Sequence, residues 1–186
     1  MLILASKSPR RQELLKTIYP VEFKVVPADV DERSITSDSV LTLPATISKA
    51  KAEWVSHKFP SDYVLAADTI VVCHDKVYEK PVDEQDAFAM LTDLTQNEHI
   101  VVTGYHIYLD GKDLISSTAI TTLVLASMTK EKIEEYIKTG SPFDKAGGYG
   151  AQDKEIDYTI KSGTYENVLG FPVDSIKADL KKLGII

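Results

Sequence analysis

The chain has 186 residues, 44% hydrophobic and 26% charged, a globular composition long enough for one sizeable core or two small lobes sharing it. Its net charge of −7 argues against a nucleic-acid polymer as the main partner, because such binders carry a basic face that releases counterions. No apolar run approaches the ~20 residues that cross a bilayer, the start lacks the pattern of a signal peptide, and the lone Cys73 cannot form an internal disulfide, so a cytoplasmic setting is expected.

Leu2 to Ala5 reads as a short buried strand, Ser8 and Pro9 as N-cap and first position of a helix, and Arg10 to Ile18 as its body. Val21 to Val26 alternates as a strand does, and Pro27 to Glu32 leaves it as an acidic loop. Leu41 to Lys58 has helical spacing, with Ile47, Ala50, Trp54 and Val55 near one face. Tyr63 to Cys73 is a strand that turns at His74 to Lys76 into Val77 and Tyr78. Asp83 to Leu94 is a helix capped by Asp83, with Ala87, Met90, Leu91 and Leu94 on one side. Ile100 to Leu109 and Leu114 to Leu125 are β-rich segments joined by Asp110-Gly111, a strong hairpin signal. Thr129 to Lys138 is a helix ending at Gly140, Ser141 to Asp153 a glycine-rich loop, Ile156 to Lys161 a strand, and Val173 to Leu183 a closing helix after Pro172. Helices alternating with strands, plus a hairpin, predict an α/β fold on a mixed sheet.

Four features carry possible chemistry. Lys7, Arg10 and Arg11 crowd a helix start, the end where the dipole and unpaired N–H groups favour anions. A bound phosphate would account for them, since helix N–H groups and guanidinium forks both suit phosphate; pairing of Arg10 and Arg11 along the helix flank with Glu13 or with a distant carboxylate would account for them too. Asp68 interrupts the apolar run Leu65 to Val72, where an ionised carboxylate loses hydration unless a cation, metal or hydrogen bonds replace it. It is either a ligand for a hard cation or a proton acceptor from an attacking water, or else an edge residue or half of a buried pair with an arginine.

Lys49, Lys51 and Lys80 form the third group. Pro81 biases Lys80 toward an extended conformation, although each lysine read singly is a solvated surface residue. The fourth is the run from Pro142 to Gln152, in which Gly147, Gly148 and Gly150 allow close backbone approach and Gln152 offers a donor and an acceptor suited to a nucleobase edge. Its spacing is not that of a Walker P-loop, and a flexible connector is the plain alternative. Histidines at 57, 74, 99 and 106 show no ligand-pair spacing, so any metal is expected on oxygen ligands.

Taken in order, LILASKSPRRQELL, DVDE at 29–32, KAKA at 49–52, AADT at 66–69, EKP at 79–81, DKAGGYGAQ at 144–152 and NVLGFP at 167–172 resemble the Maf family of nucleoside triphosphate pyrophosphatases. The resemblance spans nearly the whole chain and implies a single catalytic domain over 1–186. It further implies a two-lobed α/β fold related to the inosine triphosphate pyrophosphatases, with the active cleft between lobes. The implied reaction is cleavage of a nucleoside triphosphate to monophosphate and pyrophosphate with Mg²⁺ or Mn²⁺. Carried over by position, Asp68 is the catalytic acid/base residue, Ser6, Arg11, Lys49 and Lys80 hold the phosphates, and Glu32 lies near the metal with Asp68. The positions of Arg10, Thr69 and Gln152 resemble those of the subgroup acting on dTTP and UTP. A homodimer is implied by the family alone.

Two departures bear on selectivity: Gly148 stands where the family often has Ala, and Asp153 where Gly is usual. A nucleotide-binding regulator of cell division that does not turn over its ligand, and a pyrophosphatase clearing deaminated purines, are the rival readings.

Overall fold

A computed structural model describes residues 1–186. Its elements run β1 (Leu2–Leu4), α1 (Pro9–Ile18), β2 (Lys24–Val25), α2 (Leu43–Lys58), β3 (Tyr63–Cys73), β4 (Lys76–Tyr78), α3 (Glu84–Leu94), β5 (Glu98–Leu109), β6 (Lys112–Leu125), α4 (Lys130–Lys138), β7 (Tyr158–Ser162), α5 (Tyr165–Val168) and α6 (Val173–Lys182). The sheet has seven strands in the order β2-β1-β3-β5-β6-β7, with β4 on β3. It is mixed: β1 runs parallel to β2 and β3, whereas β4 is antiparallel to β3 and β7 to β6. No helix is long and apolar enough to cross a membrane.

The chain divides into two compact units. The first comprises Met1–Asp68, Thr103–Ala119 and Gly170–Ile186, the second Thr69–Val102 and Ile120–Leu169. In the first, strand alternation sorts the apolar side chains onto two faces. Leu2, Leu4, Leu65, Ala67, Tyr105 and Ile107 pack with Leu15 and Ile18 of α1 and with Phe171, Ile176 and Leu180 at the C-terminal end. Ile3, Ala5, Val64, Ala66 and Tyr108 pack with Ala52 and Val55 of α2. Each fully buried Leu, Ile or Phe contributes about 1.5–3 kcal/mol, which holds the helices to the sheet. A Cβ on Gly104 would stand 2.2 Å from Ala45 N, so β5 admits the start of α2 only because that position is glycine.

In the second unit, Val71, Tyr78, Val101, Leu123 and Leu125 of the strands form one cluster with Ala87, Leu91 and Leu94 of α3 and Ile133, Tyr136 and Ile137 of α4. Both helices start as expected: Asp83 accepts from Asp86 N at 2.8 Å and Thr129 Oγ1 from Lys132 N at 3.3 Å. Asp110 and Gly111 have φ of 52° and 69°, the left-handed pair that closes a tight hairpin.

Several boundaries differ from the sequence reading. The strand expected over 21–26 is only Lys24–Val25, because the short β1 offers Ile3 and Leu4 alone as partners. The strand expected from Ile156 starts at Tyr158, since Ile156 is buried in a turn with its N–H on Asp153 O. On α2, Ala50 and Trp54 are only half-buried, and Pro44, Ile47, Ser48, Lys51, Ala52, Val55 and Ser56 form the buried stripe. The glycine-rich segment contains two 3₁₀ turns, and α5, capped by Thr164, was not foreseen.

Candidate functional site

The first unit gathers the basic helix start, Asp68 and the acidic loop. Ser8 caps α1, accepting from Arg11 N at 3.4 Å, Pro9 opens the helix, and its first turn holds no acidic residue. The buried Ser6 hydroxyl accepts from Ser8 N at 3.2 Å and from Arg11 Nη1 at 3.3 Å. Arg11 also donates Nη1 to Ala67 O and Nε to Gly170 O, both at 2.8 Å. These contacts fix the guanidinium, and Asp68 and Glu32 lie near enough to act on it electrostatically. Burial lowers the Arg11 pKa against the opposing pull of Asp68. Arg10 is half-buried on the first turn, and Lys7 is exposed.

Strand parity explains Asp68. Val64 and Ala66 point toward α2, and Asp68, two residues on, keeps that face, where the ammonium of Lys51 meets it at 2.7 Å. Lys51 lies four residues from Ile47 and from Val55, on the buried stripe of α2. Its Nζ also pairs with Glu32 Oε1 at 3.0 Å. Glu32 belongs to a 3₁₀ turn, Glu32–Ser34, and its side chain is half exposed. One lysine therefore draws two carboxylates together, and Asp68, paired with this lysine, also acts on the Arg11 guanidinium. Lys49 lies elsewhere on the helix, exposed, with Nζ 3.9 Å from Glu53 Oε1.

The donor set fits a hard divalent cation. Glu32 Oε1 and Asp68 Oδ1 both contact Lys51 Nζ, and no group of three or more His, Cys, Asp or Glu could hold a metal on protein ligands alone. Two carboxylates completed by substrate phosphate oxygens is the usual way Mg²⁺ is held.

A second polar cluster in this unit escaped the sequence reading. Ser48 Oγ lies 2.9 Å from His106 Nδ1, and His106 Nε2 is 3.5 Å from Asp113 Oδ2. The order of groups resembles a hydrolytic triad, but Ser48 is fully buried and its hydroxyl donates to Ala45 O at 3.0 Å, so it braces α2 against β5 instead of attacking a substrate. Burial lowers the His106 pKa and raises that of Asp113.

The second unit holds the remaining predicted residues. Thr69 is half-buried on β3 just past Asp68, and Lys80 is exposed beside Pro81. The Glu79–Pro81 turn meets the glycine-rich segment where Gly147 N donates to Glu79 O at 3.1 Å. Gly147 has φ of 72°, which favours glycine, and a Cβ there would sit tightly, 3.1 Å from Val71 and 3.2 Å from Leu94 side-chain methyls. Gln152 is exposed on the following turn.

That segment is far from a flexible connector. Asp153 Oδ2 accepts from Tyr136 OH and from Ser141 Oγ, both at 2.6 Å, and Tyr136 OH accepts in turn from Gly150 N at 3.0 Å. The buried Lys145 donates to Ser141 O at 2.6 Å, Ser141 Oγ at 2.9 Å and Asp144 Oδ1 at 2.6 Å. The carboxylate at 153 thus clamps the loop.

The mixed sheet with flanking helices defines the class of the protein. It is similar in fold to the Ham1 protein of Staphylococcus aureus (TM-score 0.58, 12% identity, 97% of this chain and 98% of that one). The same holds for a HAM1 protein from Coxiella burnetii (TM-score 0.54, 12% identity, 97% and 98%). Within that class the sequence is decisive: residues 1–183 match the family described as Maf-like protein, and the chain belongs to it. Relatives include the dTTP/UTP pyrophosphatase of Carboxydothermus hydrogenoformans, 42% identical over 185 residues and covering 98% of both chains. That of Geotalea uraniireducens is 40% identical over 187 residues, covering 100% of this chain and 96% of its own.

Proposed function

We propose that this protein hydrolyses dTTP and UTP to the nucleoside monophosphate and pyrophosphate, residues 1–186 acting as one catalytic domain. The observation that carries the reading is the carboxylate of Asp68, buried yet ionically held beside the basic start of α1, in a chain about 40% identical to dTTP/UTP pyrophosphatases.

A triphosphate brings about four negative charges, and catalysis of its cleavage is mainly positioning and charge stabilisation. Ser6 and Arg11 lie at the helix start where N–H groups and the dipole favour phosphate. Lys49 and Lys80 supply further charge, and the carbonyl partners of Arg11 preorganise its guanidinium. Asp68 accepts the proton of the water that attacks the α-phosphorus in line, while pyrophosphate leaves on the opposite side. Mg²⁺ or Mn²⁺ held by Glu32 and Asp68 would neutralise phosphate charge and make that water more acidic. Arg10, Thr69 and Gln152 select the base, Gln152 through its paired donor and acceptor.

The test is product analysis on a panel of nucleoside triphosphates with Mg²⁺ or Mn²⁺. Pyrophosphate and monophosphate from dTTP and UTP are expected. Purine turnover would overturn the selectivity, orthophosphate release the cleavage position, and no turnover would leave a nucleotide-binding regulator.

A further inference from the structure

Lys51 is the one charged residue on the buried stripe of α2, with its side chain only 10% exposed. Its ammonium sits 2.7 Å from Asp68 Oδ1 and 3.0 Å from Glu32 Oε1, between the two carboxylates that would hold a divalent cation. Both contacts are charge-assisted, so each carboxylate already has a cationic partner before any nucleotide arrives.

We propose that Lys51 is a resident counter-ion that competes with the divalent cation for Glu32 and Asp68, so that metal enters this site only together with a nucleotide. The proposal rests on the reading of those two carboxylates as the metal residues. A cation arriving alone must take Asp68 from a buried ammonium, which would be left without a compensating charge in a poorly hydrated place. A triphosphate removes that obstacle because its anionic oxygens give the displaced ammonium new acceptors. Without nucleotide, the same lysine keeps two neighbouring carboxylates from repelling each other. Lys51 is thus a positioning residue that couples metal entry to substrate entry, distinct from the exposed Lys49 two residues earlier.

Calorimetric titration of the nucleotide-free protein with Mn²⁺ tests this. Wild type is expected to bind weakly, Lys51→Met at least tenfold more tightly, and Lys51→Arg, which keeps a charge between the carboxylates, as weakly as wild type. Lys51→Gln retains a hydrogen-bond donor toward Asp68 and serves if the methionine variant does not fold. Its melting temperature is expected to rise with added Mn²⁺ where that of wild type does not. Mn²⁺ affinity in either neutral variant no greater than in wild type would overturn the proposal and leave Lys51 a purely structural anchor.

A parallel titration with the α,β-imido analogue of dTTP present separates the inference from its premise. Mn²⁺ binding that survives Asp68→Asn, or is absent from wild type, would overturn the assignment of the two carboxylates. Binding lost in Asp68→Asn without a gain in the Lys51 variants would overturn the competition alone.

Discussion

Arg11 reaches Gly170 across 159 positions of sequence, its Nε donating to that carbonyl at 2.8 Å. The same guanidinium holds Ala67 O, one residue before Asp68, at 2.8 Å. It therefore ties the N-terminal helix, the central strand and the C-terminal segment together.

Arg11→Lys should separate these roles, because an ammonium keeps the charge and loses the planar fork. Hydrogen bonds from a charged group are worth roughly 1.5–3 kcal/mol each, and a lysine could replace one of them, so a loss of about 2 kcal/mol is expected. Urea denaturation measures it, and kcat should fall in parallel. A variant as stable as wild type would show that the carbonyl contacts add nothing to the fold.

Asp68→Asn removes the proton acceptor while preserving shape. General-base catalysis contributes about 10²–10⁴-fold, so turnover of dTTP should drop by at least that factor. The arrangement also predicts a melting temperature only modestly lowered, because Glu32 still pairs with Lys51. Near-wild-type turnover would remove Asp68 from the mechanism.

How much of this centre the sequence discloses follows from two periodicities. With a period of two, Asp68 shares the face of Val64 and Ala66; with a period of 3.6, Lys51 lies between Ile47 and Val55 on the stripe of α2 that meets them. Those patterns are consistent with the pairing of Lys51 and Asp68, but the sequence reading takes Lys51 as a solvated surface residue, where the structure buries it, and motif position directs attention to Lys49, which is exposed. The hairpin, the capped helices and β3 were legible because their signals are local. Arg11 with Gly170, Ser48 with His106 and Tyr136 with Asp153 were not, since each joins segments that only the folded sheet brings together.

Tyr136→Phe tests the clamp on the glycine-rich segment. Loss of the hydroxyl leaves Gly150 N without its acceptor and takes one of two 2.6 Å donors from Asp153. A buried group left unsatisfied costs about 1–3 kcal/mol, so stability should fall by that amount. With Gln152 on the adjoining turn reading the base, KM for dTTP should rise several-fold while kcat is nearly unchanged. Unaltered KM would mean that the clamp does not position Gln152.

Acid sensitivity should trace in part to His99. The buried ring lies with Nδ1 3.0 Å from Asn97 O, which fixes the proton on Nδ1 and leaves Nε2 to accept from Tyr149 OH at 2.9 Å. Burial lowers the His99 pKa, only partly opposed by the Asn97 carbonyl. The unfolded chain, with an ordinary histidine near 6.5, therefore takes up a proton before the folded one does. The resulting stability is fully present above pH 6.5 and drains away as pH falls from there through the lowered folded value, at no more than about 1.4 kcal/mol per pH unit. His106, also lowered by burial, acts in the same direction. Urea midpoints from pH 7.5 to 5 should thus fall more steeply for wild type than for His99→Gln, whose amide can hydrogen-bond but not titrate. Parallel curves would mean that the imidazole is protonated as readily in the core as in the unfolded chain, and that the contact with Tyr149 accommodates the charge.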